Sequence, residues 1–204
     1  MISYSDIMEE LAWKTVKPEH AWVMDKLQLA LRLGHIAGPA GVEVPRPGKY
    51  IVRPTTNVFG MEGEVSIMEF EKTWTCDVPP GYFWSEIFTG PHTTVDYSWG
   101  SAIFTAIAKR DKQGRFCSWK KVANTMHKVR LPQCLKSVLE HYPLANIEAI
   151  GGKVIEVHLR SNPDFLYGNT EFLPVYEGQS TTPPKGYEYI ECSESNGRIG
   201  AFIK

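Results

Sequence analysis

What the sequence lacks narrows the field first. Its four cysteines, Cys76, Cys117, Cys134 and Cys192, are scattered, with no C-x-x-C pair. Structural zinc sites and disulfide frameworks use tighter spacing, so neither is expected. No run approaches the ~20 apolar residues of a membrane-spanning helix. The opening stretch MISYSDIMEELAWKTV has acids where a secretion signal would have lysines, and no continuous apolar segment. A dominant charge is missing too. A net charge of -1 over 204 residues shows none of the basic excess of nucleic-acid binders. The short basic strips Lys109-Arg110-Asp111-Lys112 and Lys120-Lys121 read as solvated, with lysines keeping an edge strand soluble. A P-loop, a G-x-G-x-x-G after a strand, a G-x-S-x-G and an H-E-x-x-H are all absent, so P-loop, dinucleotide-binding, serine-hydrolase and zincin chemistry have no motif support. The expectation is a soluble cytoplasmic protein with reduced thiols and neither a membrane nor a nucleic-acid partner.

What is present is a chain 43% hydrophobic and 12% aromatic, enough for one well-cored domain over residues 1–204. A short helix is expected over 4–16. A second should run from Pro18, suited to a first helical turn, to Gly34 as a C-terminal cap. After a Gly- and Pro-dense loop (35–48), strands dominate: 49–54, 64–70, 82–88, 93–99 and 101–110. A helix over 131–142 precedes a hairpin at 145–160, and the remainder reads as loops ending in one strand, RIGAFIK. The class is α+β with antiparallel strands joined by short turns.

The hairpin carries the most information. In NIEAIGGKVIEVHLR, a two-residue turn at Gly151-Gly152 would pair Glu148 with Ile155 and mix charge with hydrocarbon on each face. A three-residue connection that includes Lys153 pairs Glu148 with Glu156 instead. Ala145, Ile147, Ala149, Ile155, Val157 and Leu159 then share an apolar face, and Asn146, Glu148, Glu156, His158 and Arg160 share the other. Two carboxylates directly opposite each other repel. A hard divalent cation between them, or simple hydration with Arg160 and Lys153 as counter-charges, would relieve this.

This strand, VIEVHLRSNPDF, resembles the metal-binding strand of the ATP-grasp enzymes, in which an E-x-N strand runs into a polar, Pro-containing turn and an acid on the preceding strand shares the metal. YIVRPTTNVFGMEGEVSI is similar to the family's phosphate segment, WSEIFTGPHTTVDY to its hinge, and MDKLQLALRLGHIAGPAGVEVP to the preceding helix with its D-K pair. The four segments occur in family order over residues 24–165. The resemblance implies two small α+β lobes whose antiparallel sheets sandwich a nucleotide: helices and loop to about residue 48, a phosphate-loop lobe over 49–90, and a metal-binding lobe with its tail over 91–204. It implies ATP held by Lys26, Arg53, Gly60 and Gly63 at the phosphates, by Glu86, Ile87 and Phe88 at adenine and by His92 at ribose. Magnesium, or manganese, would lie on Glu148, Glu156 and His158. Arg160 and Asn162 would be the catalytic pair beside the substrate. Two departures stand out. His158 replaces the usual Asn, and imidazole is a poor magnesium ligand. The family's N-terminal domain is nearly absent, so a separate protein supplying a substrate domain is an expected partner.

The activity so implied is an ATP-dependent carboxylate–amine or carboxylate–thiol ligase that works through an acyl-phosphate on a small-molecule or peptide carboxylate. One alternative is a nucleotide-binding or interaction protein that kept the frame and lost turnover. Another is an unrelated β-rich structural or assembly protein whose polar hairpin face meets a partner.

Overall fold

The computed structural model describes residues 4–56, 65–71, 73, 77–112, 114–123, 129–194 and 197–204. The chain opens with α1 (Tyr4–Thr15), a 3-10 segment Pro18–Val23 and α2 (Lys26–Arg32). The single helix expected from Pro18 onward is therefore two pieces. Asp25 adopts extended backbone angles and accepts a hydrogen bond from the Gln28 amide at 2.9 Å, capping a fresh start. That restart puts Lys26 at the first position of α2, where its own N–H donates to the Thr55 carbonyl at 2.7 Å.

A small sheet follows, built from β1 (Ala37–Pro39), β2 (Gly48–Pro54), β3 (Ser66–Phe70) and β4 (Tyr82–Ser85) in the order β1-β4-β2-β3. Residues 86–91 lead out of it into a larger sheet. This contains β5 (His92–Ser98), β6 (Ser101–Arg110) and β7 (Phe116–Val122), then, after α3 (Gln133–Leu139), β8 (Ala145–Ile150) and β9 (Lys153–His158). It closes with β10 (Glu171–Tyr176), β11 (Glu188–Glu191) and β12 (Arg198–Ile203), in the order β11-β12-β10-β7-β6-β5-β8-β9. All pairings are antiparallel. No helix among the described residues is long and apolar enough to cross a membrane.

The tail expected as loops with one strand thus holds three. The lysines at 120 and 121 lie on β7, which is flanked by β6 and β10 rather than at an edge. Lys120 pairs with Glu171 at 2.6 Å, and the Lys121 ammonium lies 4.6 Å from the centre of the Phe104 ring.

The hairpin resolves its register differently from either simple expectation. The turn has two residues, with Ile150 opposite Lys153, and both Gly151 and Gly152 have positive φ, the conformation a tight hairpin turn demands. Glu148 nevertheless faces Glu156, because Ile155 is an extra, bulged residue on β9. The bulge re-sorts the faces. Val154 replaces Ile155 on the apolar side, joining Ile147 and Val157 in the core packed under α1, α2 and α3. Ile155 turns to the opposite side and lines a cavity. Its carbonyl accepts a hydrogen bond at 3.1 Å from Arg53 of the small sheet, so the irregularity is held across the gap between sheets.

The hairpin tip is also the fulcrum of the connection between sheets. The Gly151 N–H donates to Pro91 O at 3.0 Å, and a methyl group on Gly151 would run into the Thr89 carbonyl, while one on Gly90 would meet the Gly151 backbone. Gly152 has open space around it. Gly151→Ala should therefore destabilise the protein by about 2 kcal/mol or more, through clash added to backbone strain, and Gly152→Ala by only about 1 kcal/mol. Urea unfolding of the two variants tests this; equal losses would show that the close approach is unimportant.

Candidate functional site

Between the two sheets lies a cavity of about 350 Å³. Lys26 at the start of α2, Arg53 on β2 and the hinge residues Glu86, Ile87 and Phe88 line it from one side. His92, Glu148 and Glu156 line it from the large sheet. Every described residue expected at the nucleotide, and both carboxylates of the expected metal pair, therefore reach one space. Gly60 and Gly63, expected at the phosphates, lie outside the described residues. A second, more polar cavity of about 230 Å³ adjoins the first and shares Glu148, Glu156 and Phe116 with it. His158, Arg160 and Asn162 line that one.

The carboxylate pair is surrounded by cations. Lys26 Nζ stands 3.4 Å from Glu156 Oε1, and His158 Nε2 lies 3.3 Å from the same oxygen. His92 Nε2 is 2.8 Å from Glu148 Oε2. Burial favours the neutral form of both acids. For Glu148 the His92 hydrogen bond outweighs it, and for Glu156 the charge of Lys26 together with His158 and Arg53 does, so Glu148 sits below the usual carboxylate range and Glu156 well below it.

His158 makes contacts on both ring nitrogens. Its Nδ1 meets Glu9 Oε2 of α1 at 2.8 Å while Nε2 faces Glu156. Burial would lower its pKa, but Glu9 and Glu156 prevail and raise it to about 9. An imidazole protonated on both nitrogens has no lone pair to offer a metal. Among the described residues no three His, Cys, Asp or Glu side chains are placed to hold a metal ion by themselves.

Arg160 Nε also donates to Glu9, at 3.0 Å, so one glutamate of α1 orders two of the cations of the polar cavity. Asn162 borders that cavity with its amide engaged. Nδ2 donates to Thr94 Oγ1 at 3.1 Å and Oδ1 accepts from the Asp164 N–H at 2.9 Å. Its backbone N–H donates to Asp96, a buried acceptor that also holds Asn146 and whose pKa burial lifts to about 6. Glu86 is likewise tied down, its Oε1 accepting from the Ile36 N–H at 2.9 Å. His92 points its Nε2 at the Glu148 carboxylate, not along the hinge.

Glu9, Arg110 and the Arg198–Asp164 pair (2.8 Å) belong to these cavities without having been singled out in the sequence. Glu9 meets His158 across 149 residues of chain, a distance no motif spacing encodes. Arg110 looked like one member of a solvated strip; it ends β6 with its guanidinium 3.8 Å from the Phe116 ring centre and faces the cleft.

The architecture is a two-sheet α+β clamp, with cations descending from the smaller sheet and α2 onto a carboxylate pair on the larger. No family model matches the sequence, and no curated protein matches it either. The fold has clear counterparts. An ATP-grasp superfamily protein from Archaeoglobus fulgidus superposes with a TM-score of 0.53 at 15% identity, over 90% of this chain and 64% of that one. An L-amino acid ligase from Bacillus licheniformis gives 0.54 at 12%, over 89% and 66%. An N5-carboxyaminoimidazole synthetase from Staphylococcus aureus gives 0.57 at 10%, over 89% and 67%. The chain has the ATP-grasp fold and spans about two thirds of the length of these proteins.

The charge cluster sets a pH dependence. His158 is raised above its unfolded value of 6.5, so the stability it contributes is complete below about pH 6.5 and is lost as pH rises through about 9. Glu9, Glu148 and Glu156 are lowered from 4.5, so their contribution is present above that value and is lost as pH falls below it. In the presence of a chelator, urea stability should form a plateau between about pH 5 and 6.5 and decline by on the order of 2–3 kcal/mol between pH 6.5 and 9.5. His158→Gln should remove that alkaline decline. A wild-type profile flat across that interval would contradict the assignment.

Proposed function

We propose that this protein is an ATP-dependent ligase that joins a carboxylate to an amine or thiol through an acyl-phosphate. The observation that carries the reading is the meeting of Lys26 and Arg53 with the facing carboxylates Glu148 and Glu156 in one cavity between two lobes. Lys26 and Arg53 serve the phosphates as cations fixed by burial. Ile87 and Phe88, which lie outside either sheet and line the cavity, flank the base and offer it backbone N–H and C=O groups.

The donor set fits a hard divalent ion that is shared with phosphate. Two carboxylates, with no third protein ligand among the described residues, are what magnesium takes when nucleotide oxygens and water complete its shell. Glu148 and Glu156 would hold magnesium or manganese, and when bound it would supply charge neutralisation and orientation of the phosphates. In this arrangement His158 is a fixed cation supporting Glu156.

The chain's contribution to the chemistry is positioning and electrostatics. A substrate carboxylate oxygen bonds to the γ-phosphorus as the bond from that phosphorus to the bridging oxygen of ADP breaks, giving acyl-phosphate and ADP. The amine nitrogen or thiol sulfur then bonds to the acyl carbon, the carbon–oxygen bond to phosphate breaks, and the nucleophile releases its proton. The polar cavity beyond the carboxylate pair is where a small-molecule or peptide carboxylate would lie, with Arg160 ordered beside it by Glu9.

One observation favours a second reading, nucleotide binding without turnover: Lys26 and His158, two cations, both contact the Glu156 oxygen that a divalent ion would use. Calorimetry with ATP and ADP, with and without magnesium or manganese, tests both readings. Metal-dependent binding is expected, with Glu156→Gln weakening it tenfold or more, about 1.4 kcal/mol. Hydroxylamine, which traps acyl-phosphates, then separates a ligase from a silent binder in a screen of carboxylates. No nucleotide binding with any metal would overturn the proposal.

A further inference from the structure

Across the large sheet, four adjacent strands place one row of side chains in the cleft: Arg110 on β6, His92 on β5, Glu148 on β8 and Glu156 on β9. The first three are linked directly. Arg110 Nη2 lies 3.3 Å from His92 Nδ1, and His92 Nε2 lies 2.8 Å from Glu148 Oε2. A guanidinium has only donors, so His92 Nδ1 must be the acceptor in the first contact. The ring proton then sits on Nε2, pointing at Glu148. The other tautomer would set an N–H against the guanidinium and a lone pair against the carboxylate, two repulsive contacts in place of two attractive ones.

Both ends of this chain are anchored. The His92 ring meets Phe116 and Trp119 edge-on, with centroids 5.1 and 5.5 Å away. Arg110 stacks on Phe116 and donates from Nη1 to the Gly114 carbonyl at 2.6 Å. The rotation of the ring and the place of the guanidinium are therefore set by groups that do not touch the carboxylates.

We infer that Arg110 and His92 are positioning residues for Glu148: Arg110 dictates the tautomer of His92, and His92 donates to one Glu148 oxygen so that the carboxylate keeps a single orientation toward the cleft. A ligand imidazole is oriented in the same way by a carboxylate behind it, and loss of such support costs about 10–100-fold in metal affinity. Here the supported group is the carboxylate. The tautomer lock stands on the contacts alone. Its consequence for metal binding rests on the ligase reading above.

The test is a double-mutant cycle read by manganese–ADP affinity, measured from the loss of the free-manganese electron paramagnetic resonance signal, with thermal unfolding confirming that each variant folds. A Gln amide nitrogen falls near the position of His Nε2, and an Asn amide nitrogen near Nδ1. His92→Asn should therefore bind manganese–ADP about tenfold or more weakly than His92→Gln. Arg110→Met, which keeps the apolar stem on Phe116, should cost about tenfold with His92 present. In the His92→Gln background, where no tautomer remains to be chosen, it should cost less than about twofold. Equal losses in the two backgrounds would mean that Arg110 acts through packing and would overturn the relay. A second measurement needs no ligand. Nitrogen-15 correlation spectra of the His92 ring should show the proton on Nε2 in the wild type and redistribution toward Nδ1 in Arg110→Met. A wild-type ring protonated at Nδ1 would overturn the inference even if manganese–ADP binds. Absence of manganese–ADP binding in the wild type would defeat the ligase reading and leave the ring spectra to decide the relay.

Discussion

Two glutamates facing each other across an antiparallel pair organise this protein. At the ~5 Å of a cross-strand pair, and with an effective dielectric constant near 20, two carboxylates repel by on the order of 3 kcal/mol. That is a sizeable share of the 5–15 kcal/mol by which a typical domain is stable. The surrounding structure answers with cations, Lys26 from α2, Arg53 from the small sheet and His158 from the same strand, and with a contact from His92 on the neighbouring strand. Helix α1 takes part as well, because Glu9 keeps His158 and Arg160 in place. Removing the pair would leave this set of buried positive groups without counter-charge, so the carboxylates and the cations depend on each other.

The bulge at Ile155 makes the arrangement compatible with a hydrophobic core. A regular two-residue hairpin would have put Glu148 opposite Ile155. One additional residue on β9 brings the acids together while leaving Val154 and Val157 against the helices. Its freed carbonyl then becomes the acceptor for Arg53, so a local irregularity in one sheet supplies a contact between sheets. The close approach of Gly90 and Gly151 fixes the same hairpin to the connecting segment. Hinge, bulge and carboxylates are thus parts of one mechanical unit, which suits a fold whose two lobes must hold a ligand between them.

The polar cavity beyond Glu148 and Glu156 has a different character from the cleft between the sheets. Its cations are each matched to acids, Arg160 to Glu9 and Arg198 to both Asp164 and Glu194. Groups held this way lose little freedom when a ligand arrives, which favours specific orientation over raw electrostatic attraction. Asn162 and Asp96 pin the loop after β9 beneath this cavity through buried hydrogen bonds.

Local chemistry made much of this legible from the sequence. Period-2 alternation around Gly151-Gly152 placed Glu148 and Glu156 on one face and opposite each other. The resemblance of the Asp25-Lys26 pair and of the strand ending at Arg53 to ATP-grasp segments marked residues that the structure brings to the same cavity. Other features were hidden for physical reasons. β7 passes for a solvated strip because Lys121 lies over the Phe104 and Phe165 rings while its stem and charge look polar in one dimension. The strands of the tail are masked by Pro- and Gly-rich connections. The bulge at Ile155 cannot be told from a longer turn, since both give the same pairing of the two acids. Glu9, Arg110 and Arg198 owe their roles to partners brought near only by folding, and no spacing along the chain records that Glu9 meets His158. Which strands carry the acids could be read along the chain, because the patterning of polar and apolar residues is local. Which cations stand around those acids could not, because electrostatic contacts depend on distance in space and not on separation along the chain.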